Sequence, residues 1–303
     1  MIAPTASRYL DLRALAALEH MRFTTRQRIE GSYSGRHRSR HRSGSGEFVD
    51  YREYSAGEDL RRLDWKVFGR TGKAYVRLYE DETNVVCTVA IDASGSMRFG
   101  GHPGDPHGSK LEYAQYLATA LSHVISRGQD QVGLALLADG LSDYIPPGAT
   151  ADHVVRVQQA VQELKTSPAQ AVAPALSQLF QRSRSRGVLL LISDFLFDDV
   201  EAAFGALRLF KHRQFEVIAL HLVHPDEERL PEGRAFRFEG LEDDGFSDCT
   251  PDEIRDVYER RFAEHLAAIR TLALATGCDY RLVSTATPWV RTLQSFLAER
   301  TPR

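Results

Sequence analysis

Asp92-Ala-Ser-Gly-Ser96-Met97 follows the apolar run Val-Val-Cys-Thr-Val-Ala-Ile at 85–91. One carboxylate and two hydroxyls, those of Asp92, Ser94 and Ser96, therefore leave the chain at alternate positions just past an expected strand end. In an open α/β sheet the carboxyl ends of strands form the rim where ligands meet the protein. Hard oxygen donors at i, i+2 and i+4 suit a small hard cation such as Mg2+ or Mn2+, which takes oxygen ligands and keeps part of its water shell. The same residue types also cap helices and build turns, and the motif alone leaves both readings open. A second apolar run, Leu189-Leu-Leu-Ile-Ser-Asp194, also ends in a carboxylate. Asp194 either caps the helix that follows or shares a rim with Asp92, and two such strand ends in one sheet favour the shared rim.

The elements that must position these residues alternate along the chain. Apolar runs predict strands over 85–91, 131–137, 187–193, 215–223 and 279–283, with a short edge segment at 143–145. Helical periodicity predicts helices near 110–126, 151–164, 173–181, 200–211, 251–275 and 290–299. That order describes an α/β, Rossmann-like domain with a doubly wound, mostly parallel sheet over 84–303. The Gly/Pro-rich stretch 100–108 interrupts it near the motif; its His102 and His107 are possible metal ligands, although a mobile rim loop is the simpler reading.

Ahead of this domain, residues 1–46 hold an amphipathic helix over 9–23 and a basic stretch from Arg22 to Arg42. That stretch is rich in Arg, His, Gly and Ser and is expected to be a flexible loop that meets an acidic surface. Residues 47–83 form a further subdomain dense in alternating charge, with a helix expected over 59–68 and a strand over 73–79. An ion-pair network among its arginines and carboxylates is a better account than a catalytic constellation, because no nucleophile with an adjacent base stands out.

The 303 residues suffice for one large domain with a small appendage, and a net charge of −3 predicts no overall attraction to nucleic acid or anionic lipid. The three cysteines, Cys87, Cys249 and Cys278, show no Cys-x-x-Cys spacing, which argues against a disulfide framework or a zinc site and fits a reducing compartment. The N-terminal sequence lacks the pattern of a signal peptide. No apolar run approaches the ~20 residues of a membrane-spanning helix, so a cytoplasmic location is expected.

Asp-x-Ser-x-Ser after an apolar strand resembles the metal-ion-dependent adhesion site of von Willebrand factor A domains. Further upstream, Gly46-Glu-Phe-Val-Asp-Tyr-Arg-Glu-Tyr54, Gly57-Glu-Asp-Leu-Arg-Arg-Leu-Asp-Trp-Lys66 and Tyr75-Val-Arg-Leu-Tyr-Glu-Asp-Glu-Thr83 resemble the bacterial and archaeal family called domain of unknown function 58. The resemblance spans about 34–242. It implies a von Willebrand A-type fold and genes typically placed beside MoxR-type AAA+ ATPases. It also implies direct cation ligation by Ser94 and Ser96, with Asp92 and Asp194 acting through water and charge balance, and an open position for a partner's carboxylate. Well-formed sites add a Thr from a later loop. Gln170 falls where that Thr would be, with Thr166 or Ser167 as substitutes if the loop is displaced, so the cation shell is expected to be weakened. Arg52, Tyr54, Gly57, Asp59, Arg62, Asp64, Trp65 and Arg77 lie in the family motifs and form a second candidate partner surface.

These features favour a non-enzymatic binding module working with a MoxR-type ATPase in the assembly or activation of client proteins. The chain has no Gly-x-x-x-x-Gly-Lys-Ser/Thr of its own, so energy would come from a partner. A metal-dependent hydrolase built on Asp92, Asp194 and Ser94 is the alternative, but there is no Gly-x-Ser-x-Gly elbow and no second carboxylate cluster for a two-metal site. Nucleic-acid or membrane-surface binding through the basic loop is a further alternative, expected to be salt-sensitive.

Overall fold

The structure is a computed structural model that describes residues 7–25, 47–55, 63–80, 85–102, 104–167, 171–183, 186–233, 235–242 and 245–301. The chain divides into two compact units, one made of 1–26 with 85–303 and one of 27–84.

The expected helix over 9–23 is a single short helix, α1 (Leu12–Ala16), capped by the Asp11 carboxylate, which accepts from the N–H groups of Arg13 and Ala14. Turns follow it, yet Tyr9, Leu15, Leu18 and Phe23 are all buried. The apolar spacing therefore reports burial of the segment and not one continuous helix. The segment belongs to the α/β unit: the Phe23 ring lies 6.2 Å from that of Phe296, and Arg127 donates to the Leu18 carbonyl at 3.0 Å.

The unit over 27–84 contains an antiparallel pair, β1 (Glu47–Glu53) and β2 (Tyr75–Glu80), with α2 (Trp65–Thr71) between them. Asp64 is the reason α2 starts later than expected: its buried carboxylate accepts from the N–H groups of Lys66 and Val67 at 2.9 and 3.2 Å. Gly72, at a φ of 68°, ends the helix in the left-handed conformation. Residues 56–62, the start of the expected helix, lie outside the described residues.

The larger unit continues with β3 (Val86–Asp92), α3 (Lys110–Arg127), β4 (Gln131–Ala138), β5 (Gly140–Gly148), α4 (Ala151–Glu163) and α5 (Val172–Arg182). Next come β6 (Val188–Ser193), α6 (Val200–His212), β7 (Glu216–Val223), α7 (Pro225–Glu228), the strand pair β8 (Phe236–Glu239) and β9 (Phe246–Cys249), α8 (Pro251–Thr276), β10 (Asp279–Ser284) and α9 (Trp289–Ala298). The main sheet has the order β10-β7-β6-β3-β4-β5, with β5 antiparallel and the other pairings parallel. Counted within this sheet the order is 6-5-4-1-2-3, the doubly wound arrangement whose strand order reverses between the first and fourth strands. The edge strand β5 is longer than the expected 143–145 because Gly140, at a φ of 78°, turns the chain straight back onto β4.

Strands buried on both faces explain the continuous apolar runs. Cys87, Val89, Ile91, Leu190, Ile192, Leu220 and Leu222 face α3, α4 and α9, where Leu117, Val157 and Phe296 meet them. The alternate residues Ala90, Leu189, Leu191, Val217 and Ala219 face α5, α6 and α8, against Leu179, Phe204 and Ile269. Each fully buried large side chain contributes about 1.5–3 kcal/mol, so both layers hold β3 and β6 firmly where their carboxyl ends meet. Among the described residues no helix is long and apolar enough to cross a membrane.

Candidate functional site

β3 and β6 are neighbouring parallel strands with Ile91 paired to Ile192, so Asp92 and Asp194 emerge at the same end of the sheet. Both carboxylates are buried. Asp92 accepts from the Ser94 N–H at 2.9 Å through Oδ1 and from the Ser193 hydroxyl at 2.6 Å through Oδ2. The Ser94 and Ser96 hydroxyls lie 3.0 Å apart. Alternate spacing after a strand thus places Asp92, Ser94, Ser96 and Asp194 in one cluster.

The third loop also reaches this cluster. Ser167 donates its N–H to the Ala93 carbonyl at 2.8 Å and forms a parallel bridge with Ser94, with the half-buried Thr166 next to it. Gln170 lies outside the described residues.

Lys110 was not foreseen. Its side chain is fully buried, and its ammonium donates to Asp194 Oδ2 at 2.6 Å and to Glu227 Oε1. Glu227 accepts from the His224 N–H at 2.8 Å through its other oxygen, closing the capping box of α7. Within the acidic stretch 226–228, Asp226 is exposed while the Glu227 carboxylate is drawn inward by the lysine. Burial pushes the Asp92 carboxyl well above the ordinary aspartate range, and the nearby Asp194 charge adds to this. Burial acts on Asp194 in the same sense, but the Lys110 ammonium outweighs it and holds that carboxyl below the usual range. Burial alone would also depress Lys110, and its two carboxylates raise it instead. Glu227 is raised, since burial exceeds the help that Lys110 gives it.

A signal for Lys110 existed in the sequence. Lysine in the first turn of a helix opposes the macrodipole, and α3 opens with Lys110 directly after its cap, Ser109. A cation placed against the dipole needs a carboxylate partner.

The loop over 100–108, expected to be mobile, is tied down by Asp105. Its carboxylate accepts from the N–H groups of Gly101 and His107 at 2.7 and 2.8 Å and lies 3.2 Å from Nε2 of the buried His224. His102 and His107 join no metal-binding group: among the described residues no cluster of at least three His, Cys, Asp or Glu side chains is placed to hold a metal ion. A hollow of about 520 Å³ between β10 and α9 contains none of the site residues.

The turn after β8 lies across the motif. Glu242 accepts the Ser96 N–H at 2.9 Å, and Arg98 donates to the Leu241 carbonyl. This accounts for Gly95, where a Cβ would fall 2.4 Å from the Leu241 carbonyl oxygen.

The donor chemistry fits a small hard cation, since the hydroxyls of Ser94 and Ser96 and the carboxylates of Asp92 and Asp194 are all oxygen ligands. The fit is partial in charge, because Lys110 already supplies a positive charge to Asp194.

In the 27–84 unit the motif residues separate. Asp64 caps α2 and accepts from the Tyr51 hydroxyl at 3.1 Å. Trp65 is 61% exposed and packs edge-on against Phe68. Arg52 is exposed on β1, Tyr54 donates its N–H to the Ala74 carbonyl, and Arg77 pairs with Tyr51 across the strands. Gly57, Asp59 and Arg62, and all of the basic loop beyond residue 25, lie outside the described residues.

The strand order and the motif at the β3 and β6 ends define a Rossmann-like α/β protein of von Willebrand A type. Residues 50–268 match the family described as protein of unknown function DUF58, and the chain belongs to that family. Uncharacterized proteins of Mycobacterium tuberculosis and Mycobacterium bovis are 26% identical over 295 residues, covering 96% of this chain and 90% of theirs. Among solved structures, a conserved hypothetical protein BatB from Bacteroides thetaiotaomicron is similar, with 16% identity and a TM-score of 0.48 over 72% of this chain and 98% of that one. The VWA domain of SpRpn10 has 11% identity and a TM-score of 0.40 over 73% and 96% of the two chains.

Proposed function

We propose that this protein is a non-enzymatic binding module that captures a carboxylate-bearing partner at the rim formed by the β3 and β6 ends. The observation that carries this reading is the pairing of the Ser94 and Ser96 hydroxyls, 3.0 Å apart, beside a buried carboxylate pair. The Ser94 and Ser96 hydroxyls hydrogen-bond each other and not an imidazole, so neither serine has the adjacent base of an activated nucleophile.

Mg2+ or Mn2+ would be held by Ser94 and Ser96, with Asp92 and Asp194 balancing its charge, and when bound it supplies an electrophilic point for the partner's carboxylate. The partner we propose is a MoxR-type AAA+ ATPase, with client proteins assembled or activated by the pair. The family resemblance supports this choice, and so does the lack of a phosphate-binding loop in the sequence. A cytoplasmic location belongs to the same reading and is supported by the three free cysteines.

The test is retrieval of partners from native cells by the wild-type chain and by a Ser94→Ala, Ser96→Ala double variant, with Mg2+ or with chelator. An AAA+ ATPase retrieved by the wild type and lost in the variant is the expected result. Equal retrieval would overturn the reading. So would hydrolysis of phosphoester or peptide substrates that disappears in Asp92→Ala.

A further inference from the structure

The segment that lies over Gly95 and Ser96 belongs to the chain itself. The Gly240 N–H donates to the Gly245 carbonyl at 2.8 Å, and Leu241 and Glu242 follow directly after it. Three features of the rim receive that segment. The Ser96 N–H takes the Glu242 carboxylate, the Arg98 guanidinium takes the Leu241 carbonyl, and Gly95 has no side chain, so the Leu241 carbonyl can lie flat on the motif. A backbone donor, a side-chain donor to a main-chain carbonyl and a side-chain-free floor form a receptor for a short peptide with a glutamate. They read main chain as well as carboxylate.

We infer that Leu241-Glu242 is an internal pseudo-ligand, and that the rim binds an acidic peptide segment of a partner in the same way after displacing it. The inference rests on the binding-module reading above and adds the chemistry of what is bound. The incoming segment presents a glutamate carboxylate to the Ser96 N–H and the preceding carbonyl to Arg98. The turn that must leave is a good candidate for displacement. β8 and β9 form a separate strand pair that extends neither edge of the main sheet, and Phe236 and Phe246 are exposed at 37% and 65%. Few buried apolar contacts are lost when such an element moves.

The internal segment competes with the partner, so the apparent affinity of the rim is its intrinsic affinity reduced by the fraction of molecules with the turn displaced. Removing the internal carboxylate raises that fraction.

The experiment uses the full chain and a fluorescein-labelled acetyl-Gly-Leu-Glu-Gly amide, with the Gln peptide as control. Fluorescence anisotropy is measured for the wild type and for Glu242→Ala. The expected result is binding of the Glu peptide about tenfold tighter in the variant, with the Gln peptide binding neither protein. Amide exchange at Ser96 provides the second readout: it speeds up in Glu242→Ala and slows again when the Glu peptide is added. Equal affinity of the two proteins for the Glu peptide, or equal affinity for the Glu and Gln peptides, would overturn the inference. Anisotropy involves no ATPase. Failure to retrieve an ATPase thus counts against the function proposed above, and equal peptide affinity counts against the pseudo-ligand alone.

Discussion

Asp92 and Asp194 leave adjacent strands at one end of the sheet, both buried, yet their surroundings drive them in opposite directions. Asp92 is held by a hydroxyl and an amide, which are neutral donors too weak to offset burial, and its carboxyl rises. Asp194 has Lys110 at 2.6 Å and falls. Depth in the sheet is common to both, so the difference comes from one side chain at the start of α3. The rim is thus divided into a half paired with a buried ammonium and a half held by neutral donors alone. A site built for a divalent cation by carboxylates alone would show no such asymmetry.

The sharpest way to break this comparison is Lys110→Met. It leaves Asp194 and Glu227 buried together without their cation, and removal of one partner from a buried ion pair costs about 3–5 kcal/mol. Urea unfolding should register that loss. Millimolar Mg2+ should restore more stability to the variant than it adds to the wild type, because it gains a binding role that the ammonium held. Equal effects of Mg2+ on both proteins would mean that Lys110 and a cation do not share Asp194.

The asymmetry also explains which parts of the site were legible in the sequence. Asp92, Ser94, Ser96 and Asp194 each follow an apolar run, so strand periodicity places them without any knowledge of tertiary contacts. Lys110, Glu227 and Glu242 come from distant positions, joined across sequence separations of 84, 117 and 146 residues in the contacts Lys110–Asp194, Lys110–Glu227 and Ser96–Glu242. The first-turn position of Lys110 flags an unusual cation, but no local pattern names the partners it and Ser96 meet. The fold was similarly readable where a strand is buried on both faces, as in β6 and β7, and less so where the chain turns tightly. The full length of β5 depended on Gly140, and the start of α2 on whether Asp64 faces an Arg or caps a helix.

A narrower test separates the two carboxylates themselves. Asp194→Asn keeps the acceptor for the Leu196 N–H but turns an NH2 group toward the Lys110 ammonium, which leaves the lysine with Glu227 only. A cost of about 2–3 kcal/mol is expected for a buried charged group deprived of one partner. Ser193→Ala affects the other half of the rim. It removes the 2.6 Å bond to Asp92 and the acceptor for the Phe195 N–H at 2.9 Å, for about 1–2 kcal/mol. Denaturant midpoints at one pH rank the two, and a larger loss for Ser193→Ala would show that hydroxyl bonding, not the ammonium, organises the rim.

Asp92→Asn should have the smallest effect on folding. The asparagine oxygen still accepts the Ser94 N–H, and the Ser193 hydroxyl can rotate to accept from the new NH2 group, so no buried atom is left without a partner. A change of no more than about 1 kcal/mol follows, because relief of the burial penalty on the carboxylate offsets the weaker neutral bonds. The same substitution removes the carboxylate at the end of β3, while Lys110 stays bonded to Asp194 and Glu227. Thermal stabilisation by Mg2+ should therefore disappear in Asp92→Asn while the unfolding midpoint without metal stays close to the wild-type value. Loss of both together would place Asp92 with Asp194 as a structural carboxylate and remove the division of the rim into two halves.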